Sequence, residues 1–533
     1  MSLTRLTSEL VKLSGGDTLQ SSIDALRLES IAELRTVEPT YDGQLYFIKC
    51  HTYPGYGGGF FRYEEGSTLV DDDGWCVVTS SGKRLLRITD TTQMNLQDFG
   101  AAPGIGIYCD DAFDNMLLST SQFGVFKCVL PHGRNPSVSY RFNRAHEWFA
   151  DQTPLRFIGE EVRISEGVRI AQDYSGVLFT IRNSGTTHFM ASLIQGFRFA
   201  STLGAAAGVR AIKVSDSWRY CVRDCFFRDY KATAPIHVYN ENSWTESFTL
   251  ERIETRSCKG MAVFTKNGTP GTTATDSFFH LRVVDCNFQA DQGNSIGLQF
   301  GDGTNPVKAY SVDLEIGGWL ESGGGHSFIR AFDHAIVEGF LTLTTDGYSG
   351  SNGNDLVPVV KSGRNGFIDL QVRCRNHQAS YVDITSSAGT NSTMPWYLAK
   401  CNDFPTSTNM EGRNTIWCRG AKLFMKASAG TTLKTYTMWR LQPGRSYRCT
   451  LQISDGTNIF TKTYLATCTG LNNLADVKLE NASPHTAAIY CQVLGGGTAG
   501  ASDANNGLKF DIVIDGTKVE VANRTVYIEL EMI

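Results

Sequence analysis

Three short stretches repeat one chemical pattern at one spacing. Asp216-Ser217-Trp218, Glu246-Ser247-Phe248 and Asp276-Ser277-Phe278 each set an acid beside a serine and an aromatic, thirty residues apart. Glycoside hydrolysis uses two carboxyl groups, one as acid and one as base or nucleophile. Stacked parallel strands supply such pairs directly, because neighbours lie about 4.8 Å apart. Acids on adjacent coils would lie near the roughly 5–5.5 Å separation of retaining enzymes, and acids two coils apart near the upper edge of the inverting range. Like charges held that close raise one pKa, which keeps one carboxyl protonated to serve as the acid. Trp244, two residues before Glu246, offers a flat face on which a sugar ring can stack. Glu246, Asp276 and Asp216 are the catalytic candidates.

The same acids also have a structural reading. Repetitive folds place Asp, Asn and Ser at corresponding turns, where their side chains bond the backbone. A second column, Asp224, Glu254 and Asp285, recurs equally well, and both columns cannot be the active site. Glu246 shares its strand parity with Phe248 and Leu250, so it faces the core unless it lies on the turn before the strand. A buried unpaired carboxylate is costly, which places these acids at that turn, facing out. Further candidates for substrate binding are Asp302 in GDG (301–303), and Trp319, Glu321 and His326 in LEIGGWLESGGGH (314–326), where Glu315 also stands. A lyase needs a base for the proton α to a uronate carboxyl and a cation to neutralise that carboxyl, and His280 with Arg282 fits best. The HE of AHEWF (145–149) lacks the second histidine of a zinc protease helix. No GxSxG elbow is present, so an esterase triad is neither supported nor excluded.

The elements that must position these residues are mostly strands. Between about 150 and 400, β-branched and aromatic runs alternate with Gly, Asn, Asp and Ser turns. FMASLIQGFRF (189–199), WRYCVRDCFF (218–227), FTLERIETRSC (248–258) and FHLRVVDCNF (279–288) follow one another at about thirty residues. SVDLEIGGWLE (311–321), HAIVEGFLTL (334–343) and GFIDLQVRC (366–374) echo them. That period, with two or three short strands in each repeat, predicts a parallel β-solenoid, since propeller blades need longer repeats and hairpins. Cys221, Cys225, Cys258 and Cys286 fall at comparable places and are expected inside.

Before the solenoid, the spacing of Leu19, Ile23, Leu26, Ile31 and Leu34 predicts an amphipathic helix over 17–37, closed by Pro39. Residues 40–90 read as a small β domain, with Asp71-Asp72-Asp73 as a solvated turn rather than a metal site. A helix is expected to open at Asp110 or Asp111, and GIG (104–106) is no dinucleotide fingerprint. After about residue 405, seven alternating strands predict a β-sandwich that caps the solenoid edge.

The totals narrow the class. The chain has 533 residues, 53 glycines, 11% aromatic and 19% charged residues, as suits a β-rich protein with many turns. A formal net charge of −5 supplies no basic field for nucleic acid. Fourteen cysteines without CxxC pairs read as small core residues, and no cofactor or metal is implied. The sequence contains no apolar run that predicts a membrane span and no signal peptide, so synthesis and folding in a cytoplasm are expected.

These features together resemble the tailspike proteins of tailed bacteriophages, which are capsule or O-antigen depolymerases. ELRTVEPTYDGQLYFIKCHTYPGYGGGFFRYEEGSTLVDDDGWCVVTSSGKRLLR looks like their small virion-joining domain. QDFGAAPG…CDDAFDNM looks like the DFGAxGDGxxDDTxAF motif that opens their β-helix, although AAPGIGIYCDDAF lacks the GDG triplet. NENSWTESF resembles a Trp-Thr-Glu segment found on several of them. The resemblance implies an all-β chain with a right-handed, pectate-lyase-like parallel β-helix, assembled as a homotrimer. The expected domains are an attachment region (1–93), a catalytic and receptor-binding β-helix (94–404) and a C-terminal β-sandwich for trimerisation or carbohydrate binding (405–533). The expected partners are capsular polysaccharide or O-antigen and, through the N-terminal region, the phage tail, baseplate or another tailspike. Endo-glycosidase action is favoured, with a lyase or a non-enzymatic receptor-binding fibre as alternatives and a secreted pectinase-like enzyme as a further rival.

Overall fold

The computed structural model describes residues 27–347, apart from 90, 133–137, 161–166, 185–191, 268–276, 291–294, 303–304, 306, 321–326 and 333–334. Beyond residue 347 it describes strands and residue 533. Two compact units are present: residues 1–213 with 219–229, and residues 214–218 with 230–533.

The first unit begins with a five-stranded sheet of β1 (Arg27–Leu28), β2 (Leu45–Ile48), β3 (Gly59–Tyr63), β4 (Cys76–Val78) and β5 (Arg84–Ile88), in the order β1-β2-β3-β5-β4. Alternation sends Tyr46, Ile48, Phe61 and Leu85 into a core closed by Ile31 and Leu34. The helix predicted over 17–37 is corrected here. Residues 17–26 lie outside the described residues, Arg27–Leu28 pair as a strand against Phe47–Ile48, and only α1 (Ile31–Leu34) is helical. One buried turn of helix fills the core where a longer one would displace β1. The acidic triplet also differs from expectation. Asp72 is fully buried and accepts from the amides of Gly74, Trp75 and Cys76, while Asp71 and Asp73 hold Arg35.

Buried Arg87 joins this sheet to the segment that opens the solenoid. Its guanidinium donates to the carbonyls of Gly57, Gly58, Gly74 and Asp98, and lies 3.4 Å from the Asp98 carboxylate. Asp98 and Gly100 belong to the QDFG motif. Gly100 has φ +99°, and a Cβ there would meet the His51 ring at 2.8 Å, so only glycine closes this joint.

The helix expected at Asp110 does begin there, as α2 (Asp110–Phe123), and buries Ala112, Phe113 and Met116 over the first coils. Parallel strands then stack. Lys127–Leu130, Arg156–Gly159, Leu193–Gln195 and Cys221–Arg228 form one column, and Tyr140–Phe142, Val168–Gln172 and Phe197–Ser201 a second. Phe113, Phe157, Phe179 and Phe197 fill the space between them.

In the second unit Thr249–Arg256, Arg282–Ala290, Lys308–Leu320, Ile336–Gly347 and Phe367–Cys374 stack in parallel. Ile236–Asn240, Gly260–Lys266, Ile296–Phe300 and Ser327–Ala331 do the same on another face. The chain is a parallel β-helix, as its thirty-residue period predicts. All seven strands expected after residue 405 are present, in sheets of four and five strands that also take in Thr415–Trp417 and Asp476–Ala482. None of the nine described cysteines is bonded to another; Cys225, Cys258 and Cys286 are buried and Cys221 is half-buried.

His146 of the HE dipeptide is buried beneath α2, with Nδ1 2.7 Å from Asp114 and Nε2 2.9 Å from Asp110. Burial alone depresses its pKa, but the two carboxylates outweigh that and hold it above the ordinary histidine value. A folded pKa above the unfolded one gives stability that is complete below about pH 6.5 and is lost as pH rises through the folded value. Thermal melts across that window should show this loss. His146→Leu should flatten it and cost about 1–3 kcal/mol, because Asp110 keeps the amides of Asn143 and Arg144 and Asp114 keeps Arg144; an unchanged pH profile would contradict the assignment.

Candidate functional site

The repeated acid-serine-aromatic pattern does not stack as its spacing suggests. Trp218 pairs with Glu246 and Glu246 with Phe279, so successive coils here are 28 and 33 residues long. Phe279 in turn pairs with Tyr310. Asp216 and Glu246 are therefore out of register by two residues, and the expected acid column is corrected to Trp218, Glu246, Phe279, Tyr310. Asp276 lies outside the described residues. In the second column Glu254 pairs with Asn287 and not with Asp285.

Glu246 faces outward because the corner after it breaks strand alternation. Ser247 has φ +56°, and its pairing successors His280 and Ser311 have +52° and +53°. Thr245 on one side of Glu246 and Phe248 on the other are buried, whereas the Glu246 side chain is 33% exposed. The corner keeps its hydrogen bonds: Glu246 N donates to Ser217 O at 2.8 Å, Ser247 N to Phe279 O at 2.9 Å and His280 N to Tyr310 O at 3.1 Å.

His280 Nδ1 lies 3.6 Å from Glu246 Oε1, and the His280 side chain is 60% exposed. This pairing of a carboxylate with an imidazole on neighbouring coils joins two residues that the sequence assigned to rival mechanisms. Half-buried aromatic rings flank it. Trp218 and Trp244 lie 6.2 Å apart between centroids on one side, and Phe279 and Tyr310 stack at 5.7 Å on the other. Arg282 is exposed beyond buried Leu281, in register between Thr249 and Asp313.

Asp216, expected as a catalytic acid, holds a turn. It is 4% exposed, and its carboxylate accepts from the amides of Glu241, Asn242 and Ser243 at 2.7–3.2 Å. Burial raises its pKa, and these amides only partly offset the rise. Asn240 acts beside it, accepting from the Thr245 hydroxyl at 2.7 Å and donating to Ser277 O at 2.9 Å. Asp216 and Asn240 together fix the turn that presents Trp244 and Glu246.

The other expected residues are not gathered here. Exposed Asp302 accepts from the Asn305 amide at 2.8 Å and closes its own loop. Its charge still reaches Tyr239, whose hydroxyl is pushed up first by burial and then by Glu241, Asp216 and Asp302. Trp319 lies on Lys308–Leu320, in register with Gln289, its side chain outside the described residues. Glu321 and His326 lie outside them altogether, and Glu315 is half-buried in register with Thr342. Among the described residues no cluster of His, Cys, Asp and Glu could hold a metal ion, and no helix is long and apolar enough to cross a membrane. Sequence reasoning missed Phe279 and Tyr310. The available signal was the doublets Phe278-Phe279 and Ala309-Tyr310, where an inward apolar residue is followed by an aromatic just before a corner.

Residues 27–90 match the family described as the phage tail protein small four-stranded beta-sheet domain, which places the chain in the virion tail. The capsule K2-specific depolymerase of Klebsiella phage vB_KpnP_KpV74 is 36% identical over 87 residues, spanning 16% of this chain and 15% of that protein. The tailspike of Acinetobacter phage vB_ApiP_P1 is similar in structure, with TM-score 0.41 and 12% identity over 95% of this chain and 98% of that one. The Pantoea stewartii glycan biofilm modifying enzyme WceF, with a tailspike-like parallel beta-helix, gives TM-score 0.46 and 13% identity over 95% and 71%. The likeness to phage tailspikes read from the sequence stands.

If Asp216 only holds the turn, Asp216→Asn should keep most activity, while Asp216→Ala should cost about 1–3 kcal/mol by stranding buried amides. Melting temperature and polysaccharide cleavage, measured together, check this; a folded but inactive Asp216→Asn protein would restore its catalytic role.

Proposed function

We propose that this protein is a tailspike that binds a bacterial surface polysaccharide, capsule or O-antigen, and depolymerises it at Glu246 and His280. The observation that carries the reading is the pair of half-buried Glu246 carboxylate and exposed His280 imidazole, 3.6 Å apart between half-buried aromatic rings. Such a pair supplies acid and base at one point, and the rings supply flat apolar faces for sugars. The capsule specificity named for the Klebsiella phage relative points to the same substrate class. In this reading the N-terminal region joins the virion, the chain acts as a homotrimer, and the C-terminal sheets serve trimerisation or carbohydrate binding.

The favoured chemistry is endo-glycoside hydrolysis, with Glu246 protonating the leaving oxygen and Asp276 as the second carboxyl. One observation favours β-elimination as a second reading. Arg282 stands exposed two residues beyond His280, as the cation that would neutralise a uronate carboxyl while His280 removes the α proton. Screening a panel of encapsulated strains for clearing halos identifies a substrate. Hydrolysis then yields new reducing ends without ultraviolet absorbance, and elimination yields both. Glu246→Gln should lower kcat by about 10²–10⁴-fold with the fold intact. Full activity in that variant would move the chemistry elsewhere, and binding without cleavage by the unaltered protein would make it a receptor-binding fibre.

A further inference from the structure

Trp218, Glu246, Phe279 and Tyr310 occupy one outward register on four successive coils. Three of the four positions carry aromatic rings, and the fourth carries the carboxylate. Phe279 and Tyr310 stack on one another at 5.7 Å with planes 28° apart, as an outward ladder on coils about 4.8 Å apart requires. At Glu246 the ladder is interrupted. The missing ring leaves a gap of two strand spacings, about 9.6 Å, between the positions of Trp218 and Phe279. The Glu246 carboxylate holds that position, with His280 Nδ1 3.6 Å away. A ladder built only for packing has no reason to lose one ring and gain a half-buried acid in its place.

We infer that the gap is a sugar subsite, that Phe279 and Tyr310 form a further subsite, and that the polysaccharide lies along the solenoid axis so that consecutive sugars meet consecutive coils. This inference rests on the proposed function and deepens it by assigning the direction of the polymer and the rings that hold it. Trp218 and Trp244 bound one side of the scissile linkage, and Phe279 and Tyr310 bound the other. The path favours an extended chain of pyranose rings with apolar faces, because the contacts it offers are mostly ring faces. It also requires internal cleavage, since sugars are held on both sides of Glu246.

The test uses the full-length protein and the capsule of a strain it clears. In the Glu246→Gln background, capsule should quench or shift the emission of Trp218 and Trp244, giving a Kd. Tyr310→Leu and Phe279→Leu should each weaken that Kd about tenfold, the value expected for losing an aromatic contact. With Glu246 restored, they should raise KM more than they lower kcat and shift the lengths of the released oligosaccharides. Tyr310→Phe keeps the ring and should restore both, which separates a binding role from a structural one. Unchanged Kd, KM and product lengths in folded Leu variants would overturn the inference while leaving cleavage at Glu246 standing. If the Leu variants weaken binding but the unaltered protein releases no fragments, the subsites hold and the catalytic reading falls.

Discussion

The site depends on one backbone feature, the left-handed corner at Ser247 and at its successors His280 and Ser311. A non-glycine residue in that conformation costs about 1 kcal/mol or more. The stack offsets the cost, because the corner amides still bond the next coil, Ser247 N to Phe279 O and His280 N to Tyr310 O. The corner also reverses the alternation of side chains. Glu246, two residues before buried Phe248 and so of the same strand parity, can then emerge outward.

Around that corner, buried polar groups hold the exposed ones. Asp216 takes up the amides of residues 241–243, and Asn240 ties Thr245 to Ser277. Their buried hydrogen bonds leave the turn few alternatives, since each lost partner strands a polar group away from water. The same device recurs in the first unit, where Arg87 satisfies four carbonyls and His146 two carboxylates. Conspicuous acids in this chain thus divide into buried ones that shape it, Asp72, Asp110 and Asp216, and ones that reach solvent, as half-buried Glu246 does in part.

The solenoid, the opening helix and the C-terminal strands were legible because each rests on a period, whether thirty residues, helical or alternating. The sequence also singled out Glu246 as a candidate, through its flanking aromatics. The register was not. Coils of 28 and 33 residues average close to thirty, so Asp216, Glu246 and Asp276 look stacked in sequence while the strands pair Glu246 with Trp218 and Phe279. Turn lengths are absorbed at corners, and a positive φ at serine or histidine leaves no mark that sequence alone shows. Pairing a supposed hydrolase acid with a supposed lyase base therefore needed coordinates. The helix over 17–37 failed for another reason: Arg27 and Leu28 gain more from extending a sheet edge than from continuing an apolar stripe.

The most direct measurement is a crystal structure of Glu246→Gln with a capsule oligosaccharide bound. The expected result is a glycosidic oxygen within about 3.2 Å of the residue 246 side chain, with sugar rings on either side of it along the solenoid axis. An oligosaccharide seated instead over Asp313 and Glu315, with residue 246 untouched, would contradict it.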